Sequence, residues 1–212
     1  SHQTKTPIAN LKMLNETMLT RPISEEQRQE FLQATGSQLD KLDFLIQAMV
    51  KTSRLESGVI TLEKKNAPIE ETLVAAINGI LAPMEKKGMD LIVDCPEGLT
   101  VSHDSRWTSE ALFNLLDNAV KYTPAGGSIR VSVQNWEMYL KIDVTDTGRG
   151  IPEQKQATIF KRFYREEAVH EIDGIGIGLY LTREIITMQG GYILVTSQVG
   201  KGSTFSVFLP RE

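Results

Sequence analysis

The chain has 212 residues, with 23 Lys+Arg against 27 Asp+Glu and a formal net charge of −4 at pH 7. That balance excludes a nucleic-acid binder held by a basic surface. A content of 41% hydrophobic and 24% charged residues is that of a globular chain able to bury one large or two modest cores, not of a disordered one. Cys95 is the sole cysteine; it closes no intrachain disulfide and makes no structural zinc site by itself, so the chain fits a reducing, cytoplasmic compartment. Apolar runs are short and broken by charge, and no basic segment precedes an apolar one at the start. Neither a membrane span nor a signal peptide is expected, and any membrane anchor would lie upstream.

In chain order, Ile8, Leu11, Met13, Leu14, Met18 and Leu19 recur at spacings of three and four, which predicts an amphipathic helix. It should stop near Thr20-Arg21-Pro22, because proline disfavours helical geometry in the residue before it. Ser24, followed three positions later by Gln27, resembles a capping box that starts a second helix. Phe31, Leu32, Leu39, Leu42, Leu45, Ile46, Met49 and Leu55 carry that helix toward Gly58. Two unequal helices with apolar residues wider than one seam predict a homodimer in which a second copy completes a four-helix bundle. A hairpin packed on the rest of its own chain is the alternative.

Beyond Gly58 the pattern becomes α+β. Val59 to Glu63 alternates like a short strand, Ile69 to Lys87 has helical periodicity, and Asp90 to Asp94 and Leu99 to Ser102 read as strands. A helix is expected over Ser105 to Tyr122. A hairpin pairs Ser128 to Val133 with Tyr139 to Asp146, and a polar stretch runs from Pro152 to Asp173. A helix over Gly176 to Met188 follows, and then a hairpin of Tyr192 to Ser197 with Thr204 to Leu209, turning at Gly200-Lys201-Gly202. The expected product is a mixed, mostly antiparallel sheet with helices on one face. The division predicted is 1–58 for the helical hairpin and 59–212 for the α+β domain.

Four short segments carry chemistry. Asn114, Asn118 and Tyr122 stand at successive i, i+4 positions beside Lys121, while Leu112, Leu115 and Leu116 form the core-facing stripe. Amide oxygens suit Mg²⁺, a hard cation that keeps waters and leans on substrate phosphates; taken alone, the stripe equally describes a solvated helix face. Asp146-Thr-Gly148-Arg-Gly150 follows a strand, which puts a carboxylate at the strand end and lets the backbone pass close to a ligand. Gly174-Ile-Gly176-Ile-Gly178 opens a helix and turns its N–H groups toward phosphates. It is no Rossmann motif, since no strand precedes it. Gly200-Lys-Gly202-Ser-Thr204 is a hairpin turn in which Thr204 adds a hydroxyl.

In this order and spacing, the four segments closely resemble the N, G1, G2 and G3 boxes of the ATP-binding domain of bacterial sensor histidine kinases. Ile159-Phe160-Lys-Arg-Phe163-Tyr-Arg165 resembles their F box, and the hairpin resembles their dimerisation and phosphotransfer domain, with Ser1-His2-Gln3-Thr4-Lys5-Thr6-Pro7 in the place of the H box. The resemblance spans essentially the whole chain. It implies an α/β sandwich related to the ATPase domains of gyrase, Hsp90 and MutL, with Mg²⁺-ATP under a mobile lid at Pro152 to Asp173.

Carried over, the resemblance implies that Asn114 and Asn118 hold Mg²⁺ and phosphates, Lys121 and Arg165 meet phosphates, and Tyr122 packs near adenine. Asp146 would read the adenine amino group. Gly148, Gly150, Gly174, Gly176 and Gly178 would shape the pocket and lid hinge, and Thr204 would sit beside Asp146. His2 would accept the γ-phosphoryl and pass it to an aspartate of a response regulator receiver domain. The family usually has Glu or Asp directly after the histidine. Here Gln3 stands there, an amide that accepts a hydrogen bond but takes no proton. Thr6, one turn on, matches the position that orients water for dephosphorylating a regulator. His103 and His170 lack such a context.

Two other readings follow from the same residues. An ATP hydrolase of the gyrase or Hsp90 type needs a glutamate one turn before the metal-binding asparagine, where this chain has Asn114. A nucleotide-binding regulatory scaffold, or a phosphatase with weak kinase activity, is favoured only by Gln3.

Overall fold

The computed structural model describes residues 2–164 and 176–211, with side chains from Lys5 onward in the first helix. The chain forms two compact units, Ser1–Ile60 and Thr61–Glu212.

The first unit is a pair of helices, α1 (His2–Thr20) and α2 (Glu25–Glu56). The Ser24 side chain accepts from the Gln27 N–H, and the Gln27 side chain accepts from the Ser24 N–H at 3.1 Å, so two otherwise orphaned donors at the start of α2 are satisfied reciprocally. Glu25 and Glu26 in the first turn and Arg54 in the last complement the helix dipole. Leu45, Thr52 and Leu55 are buried, while Leu19, Leu32, Leu39, Phe44 and Ile46 remain more than half exposed. No helix among the described residues is long and apolar enough to cross a membrane.

The second unit is an α+β sandwich. Its strands are β1 (Lys65–Pro68), β2 (Asp90–Asp94), β3 (Thr100–His103), β4 (Ser128–Asn135), β5 (Tyr139–Asp146), β6 (Tyr192–Gln198) and β7 (Gly202–Pro210). The main sheet has the order β2-β4-β5-β7-β6, with β2 parallel to β4 and every other pair antiparallel; β1 and β3 form a separate two-stranded ladder. The helices are α3 (Ile69–Asn78), α4 (Leu81–Lys87), α5 (Ser105–Tyr122), the short α6 (Glu153–Gln156) and α7 (Gly178–Met188).

Strand periodicity builds the core. Leu140, Ile142 and Val144 of β5 lie on one face with Ile129, Val131 and Val133 of β4 and Phe205 and Val207 of β7, all buried. Helix α5 closes over this face with a stripe of Trp107, Ala111, Leu112, Leu115, Leu116 and Ala119, spaced as one side of a 3.6-residue helix requires. On the opposite face, Phe208 is buried under Tyr192, stacked at 4.4 Å between ring centroids, and Trp136 at 5.6 Å.

The structure differs from the sequence reading in three elements. Val59 to Glu63 is not a strand; the ladder begins at Lys65. The Glu63 N–H donates instead to the Asp104 carboxylate at 2.8 Å, the same carboxylate that caps α5 through the Trp107 N–H. The single helix expected over Ile69 to Lys87 is two. It breaks at Gly79 and the buried Ile80, where a Cβ on Gly79 would stand 2.6 Å from the Phe113 ring. The last helix begins at Gly178, two residues later than its periodicity suggests.

Candidate nucleotide-binding site

The inward row of β5 runs Leu140, Ile142, Val144 and then Asp146, so period-two geometry delivers a carboxylate to the core face at the end of the strand. Asp146 is buried. Burial pushes its carboxyl up from the ordinary range, and the N–H groups of Gly148 and Ser203 pull it partly back, the former donating to Oδ1 at 2.8 Å. Among the described residues no cation is paired with it. A desolvated carboxylate held only by backbone N–H groups retains acceptor capacity for a ligand donor.

The site is shaped by close backbone approaches. Gly202 has φ +104, and a Cβ there would lie 1.9 Å from the Asp146 carbonyl oxygen; Gly150 has φ +72, and a Cβ there would lie 2.0 Å from the Gln198 carbonyl oxygen. Both positions demand glycine for conformation and for space.

Around Asp146 opens a cleft with ≈ 690 Å³ of atom-free space, part of it open to solvent. Asn118, Ala119 and Tyr122 of α5 form one wall; Arg149, Gly150 and Ile151 form another. Lys155 comes from α6, Ile159 and Tyr164 from the segment after it, and Leu179, Ser203 and Phe205 complete the lining. Asn118 and Tyr122 therefore share the cleft with Asp146 and Gly150. Asn114 sits one turn earlier on α5, 3.6 Å from where a Cβ on Gly178 would stand, so the start of α7 abuts it. Lys121 is held at 2.5 Å by Asp117 and does not line the cleft. Gly148 packs against the Tyr122 carbonyl, and Gly176 against the backbone of Phe163 and Tyr164. Arg165, Gly174 and His170 lie outside the described residues, as do the side chains of His2 and Gln3; Thr6 is exposed on α1.

One assignment is corrected. Thr204 does not face Asp146: its hydroxyl meets that of Thr145 at 3.0 Å on the opposite side of the sheet, and Ser203 is the residue in register with Asp146. A one-residue offset in a strand reverses the face. Sequence reasoning also left out Lys155, Leu179, Ser203 and Phe205 as lining residues. For Ser203 and Phe205 the signal was present, since they alternate with Thr204 on the inward row. For Lys155 no sequence signal exists.

The residues fit a nucleotide with a divalent cation. The Asn114 Nδ2 and the Tyr164 hydroxyl are buried with no hydrogen-bond partner among the described residues, as are the atoms Thr123 Oγ1 and Arg162 Nε; at Asn114, beside the cleft, a bound ligand or ordered water would supply the missing partner. Among the described residues no side chain caps the first turn of α7, and a helix start of this kind suits an anion. No cluster of three or more His, Cys, Asp or Glu among the described residues can hold a metal. The amide oxygens of Asn114 and Asn118, together with a nucleotide's own phosphates, are of the donor type that Mg²⁺ takes.

Comparison with known proteins agrees with this geometry. Residues 103–212 match the family described as histidine kinase-, DNA gyrase B-, and HSP90-like ATPase. The chain belongs to that family. The adaptive-response sensory kinase SasA of Synechococcus sp. (strain JA-3-3Ab) is 31% identical over 99% of this chain and 57% of its own length. The chain thus spans little more than half of that relative. The full-length structure of ShkA in complex with AMPPNP aligns over 99% of this chain and 44% of its own, at 25% identity and a TM-score of 0.75. The histidine kinase ThkA in complex with the response regulator protein TrrA shares the fold, with a TM-score of 0.80 over 100% of this chain and 59% of its own at 20% identity.

The raised carboxyl of Asp146 has a definite stability signature. A group whose folded-state pKa exceeds its unfolded value contributes stability below the unfolded pKa and loses it as pH rises through the folded one. Asp146→Asn removes the ionisation and keeps an acceptor for the Gly148 N–H. Its stability relative to wild type should therefore increase as pH rises from about 3 to about 7. Urea midpoints of the two proteins at matched pH measure this; a difference constant with pH would show that Asp146 is not desolvated.

Proposed function

We propose that this chain is an ATP-dependent protein histidine kinase, in which ATP bound in the cleft donates its γ-phosphoryl group to His2. The observation that carries the reading is the buried Asp146, paired with no cation among the described residues, facing the Asn118–Tyr122 wall of α5. In this reading the Asp146 carboxylate accepts from the exocyclic amino group of adenine, Tyr122 covers the base, and the start of α7 receives phosphate oxygens. The buried amide nitrogen of Asn114 donates to the phosphates. Asn114 and Asn118 would hold Mg²⁺ through their amide oxygens, and the ion, when bound, offsets phosphate charge. Arg165, from outside the described residues, would supply further positive charge; Lys121, paired with Asp117, does not line the cleft.

A neutral imidazole has one ring nitrogen with a free lone pair. That nitrogen of His2 forms the N–P bond as the P–O bond to the β-phosphate breaks; ADP leaves with the electron pair, and the ring proton passes to water. Gln3 can orient the ring by hydrogen bonding but cannot take that proton. Asn114 occupies the place of a hydrolytic glutamate, so the cleft lacks the base that would direct the phosphoryl group to water. The phosphoryl group then passes from His2 to an aspartate of a response regulator receiver domain; the ThkA structure contains such a regulator as its bound partner.

The hairpin supports a homodimer. Leu19 is 77% and Phe44 63% exposed, apolar area that a second copy would bury in a four-helix bundle. Sedimentation should give a dimer mass; a monomer mass at every concentration would contradict the bundle.

The kinase reading is tested with γ-labelled ATP. His2→Ala should abolish labelling and leave ATP affinity unchanged, because acceptor and cleft lie in different units. In the same assay Gln3→Glu should speed labelling, by as much as about 10²-fold where proton removal limits. Acid-labile labelling that persists in His2→Ala would refute the acceptor assignment.

Thr6 supports a second activity of the same protein. It lies one turn beyond His2 on α1 and is exposed, where a hydroxyl can hold the water that attacks an aspartyl phosphate on a docked regulator. Thr6→Ala should keep autophosphorylation and slow regulator dephosphorylation. Equal decay of regulator phosphate with both proteins would remove Thr6 from that role.

A further inference from the structure

Each α-helix ends with four carbonyls that have no intrahelical donor. In α5 all four have partners, and two of them share one. The Ala119 carbonyl accepts from the Thr123 N–H at 3.1 Å, and the Tyr122 carbonyl from the Arg149 N–H at 3.3 Å. The Val120 and Lys121 carbonyls both accept from the ammonium of Lys87, at 2.6 and 3.3 Å. The third ammonium hydrogen reaches the Thr123 carbonyl at 3.0 Å. Lys87 is the last residue of α4, and its own carbonyl accepts from the Gly126 N–H at 3.0 Å. One side chain therefore uses all three of its donors on the turn where α5 ends, and places positive charge at the negative end of the helix dipole.

That turn carries cleft residues. Asn118 and Tyr122 line the cleft, and the Tyr122 carbonyl holds Arg149, another lining residue. Lys87 lines nothing; it stands behind the wall. We propose that Lys87 is a positioning residue of the nucleotide site, setting the end of α5, and through it Tyr122 and Arg149, in the arrangement that accepts ATP. The inference rests on the reading of the cleft as an ATP site. It also makes α4, a short helix with no residue in the cleft, a mechanical support of nucleotide binding.

Lys87→Met keeps the aliphatic length and removes the donors, leaving three carbonyls unmatched. ATP affinity by calorimetry should fall about tenfold, with KM for ATP raised in parallel. At saturating ATP, kcat should stay within about twofold of wild type, because the acceptor and the phosphates are untouched. Lys87→Arg, which restores several donors, should recover most of the affinity. General destabilisation is separated by Ile142→Ala, a cavity at the centre of the sheet, which should lower the melting temperature without changing ATP affinity. Should Met at position 87 prevent folding, Lys87→Gln keeps two donors and carries the same test.

A folded Lys87→Met or Lys87→Gln protein with wild-type affinity would overturn this inference alone. Absence of ATP binding by the unaltered chain would overturn the nucleotide-site reading and this inference together.

Discussion

Helix α5 has two duties on adjacent faces, and the second unit is arranged so that neither disturbs the other. Its buried stripe, from Trp107 to Val120, fixes how far the helix is rotated on the sheet, because each large apolar side chain contributes about 1.5–3 kcal/mol by leaving water. Once that rotation is set, Asn114, Asn118 and Tyr122 have no freedom to face elsewhere. The helix is held at both ends as well, by Asp104 at its start and by Lys87 at its finish. A rotation of one residue would bury the amides and expose leucines, so fold and site stand or fall together.

Asp146 follows from the same economy of faces. It continues the inward row of β5 to the cleft and is itself buried, so its charge is costly. A buried carboxylate held by two backbone N–H groups, with no cation among the described residues, is costly to ionise, and a donor on a ligand would offset that cost. The Cβ-excluding contacts at Gly150 and Gly202 bring the surrounding backbone close around the carboxylate. The cleft is thus preorganised by backbone, with side chains supplying the chemistry.

The helical unit follows another logic. A capping box and well-placed charges make α2 a good helix in isolation, yet its burial is sparse, and large apolar side chains remain in water. Its sequence suits association better than solitary folding.

Much of this was legible in the sequence. The limits of α5 and β5 follow from periods of 3.6 and 2.0, as does the start of β4, which runs two residues past the expected Val133; the stop at Pro22 and the Ser24–Gln27 box follow from local backbone sterics and hydrogen bonding. The glycine-spaced segments and the asparagine face identified the family before any coordinates, because close backbone approach and ligand geometry restrict residue choice at fixed spacings. Other features were settled by tertiary structure alone. Val59 to Glu63 alternates as a strand would, but the Asp104 carboxylate claims the Glu63 N–H. The helix over 69–87 breaks because the Phe113 ring fills the space beside Gly79. Ser203, not Thr204, opposes Asp146, since strand register is a property of the pair. The role of Lys87 had no local signature at all, because its three acceptors lie more than 30 residues away in the chain. Patterns of period and spacing are written in neighbouring residues; which long-range partner satisfies a given donor is decided only when the core closes.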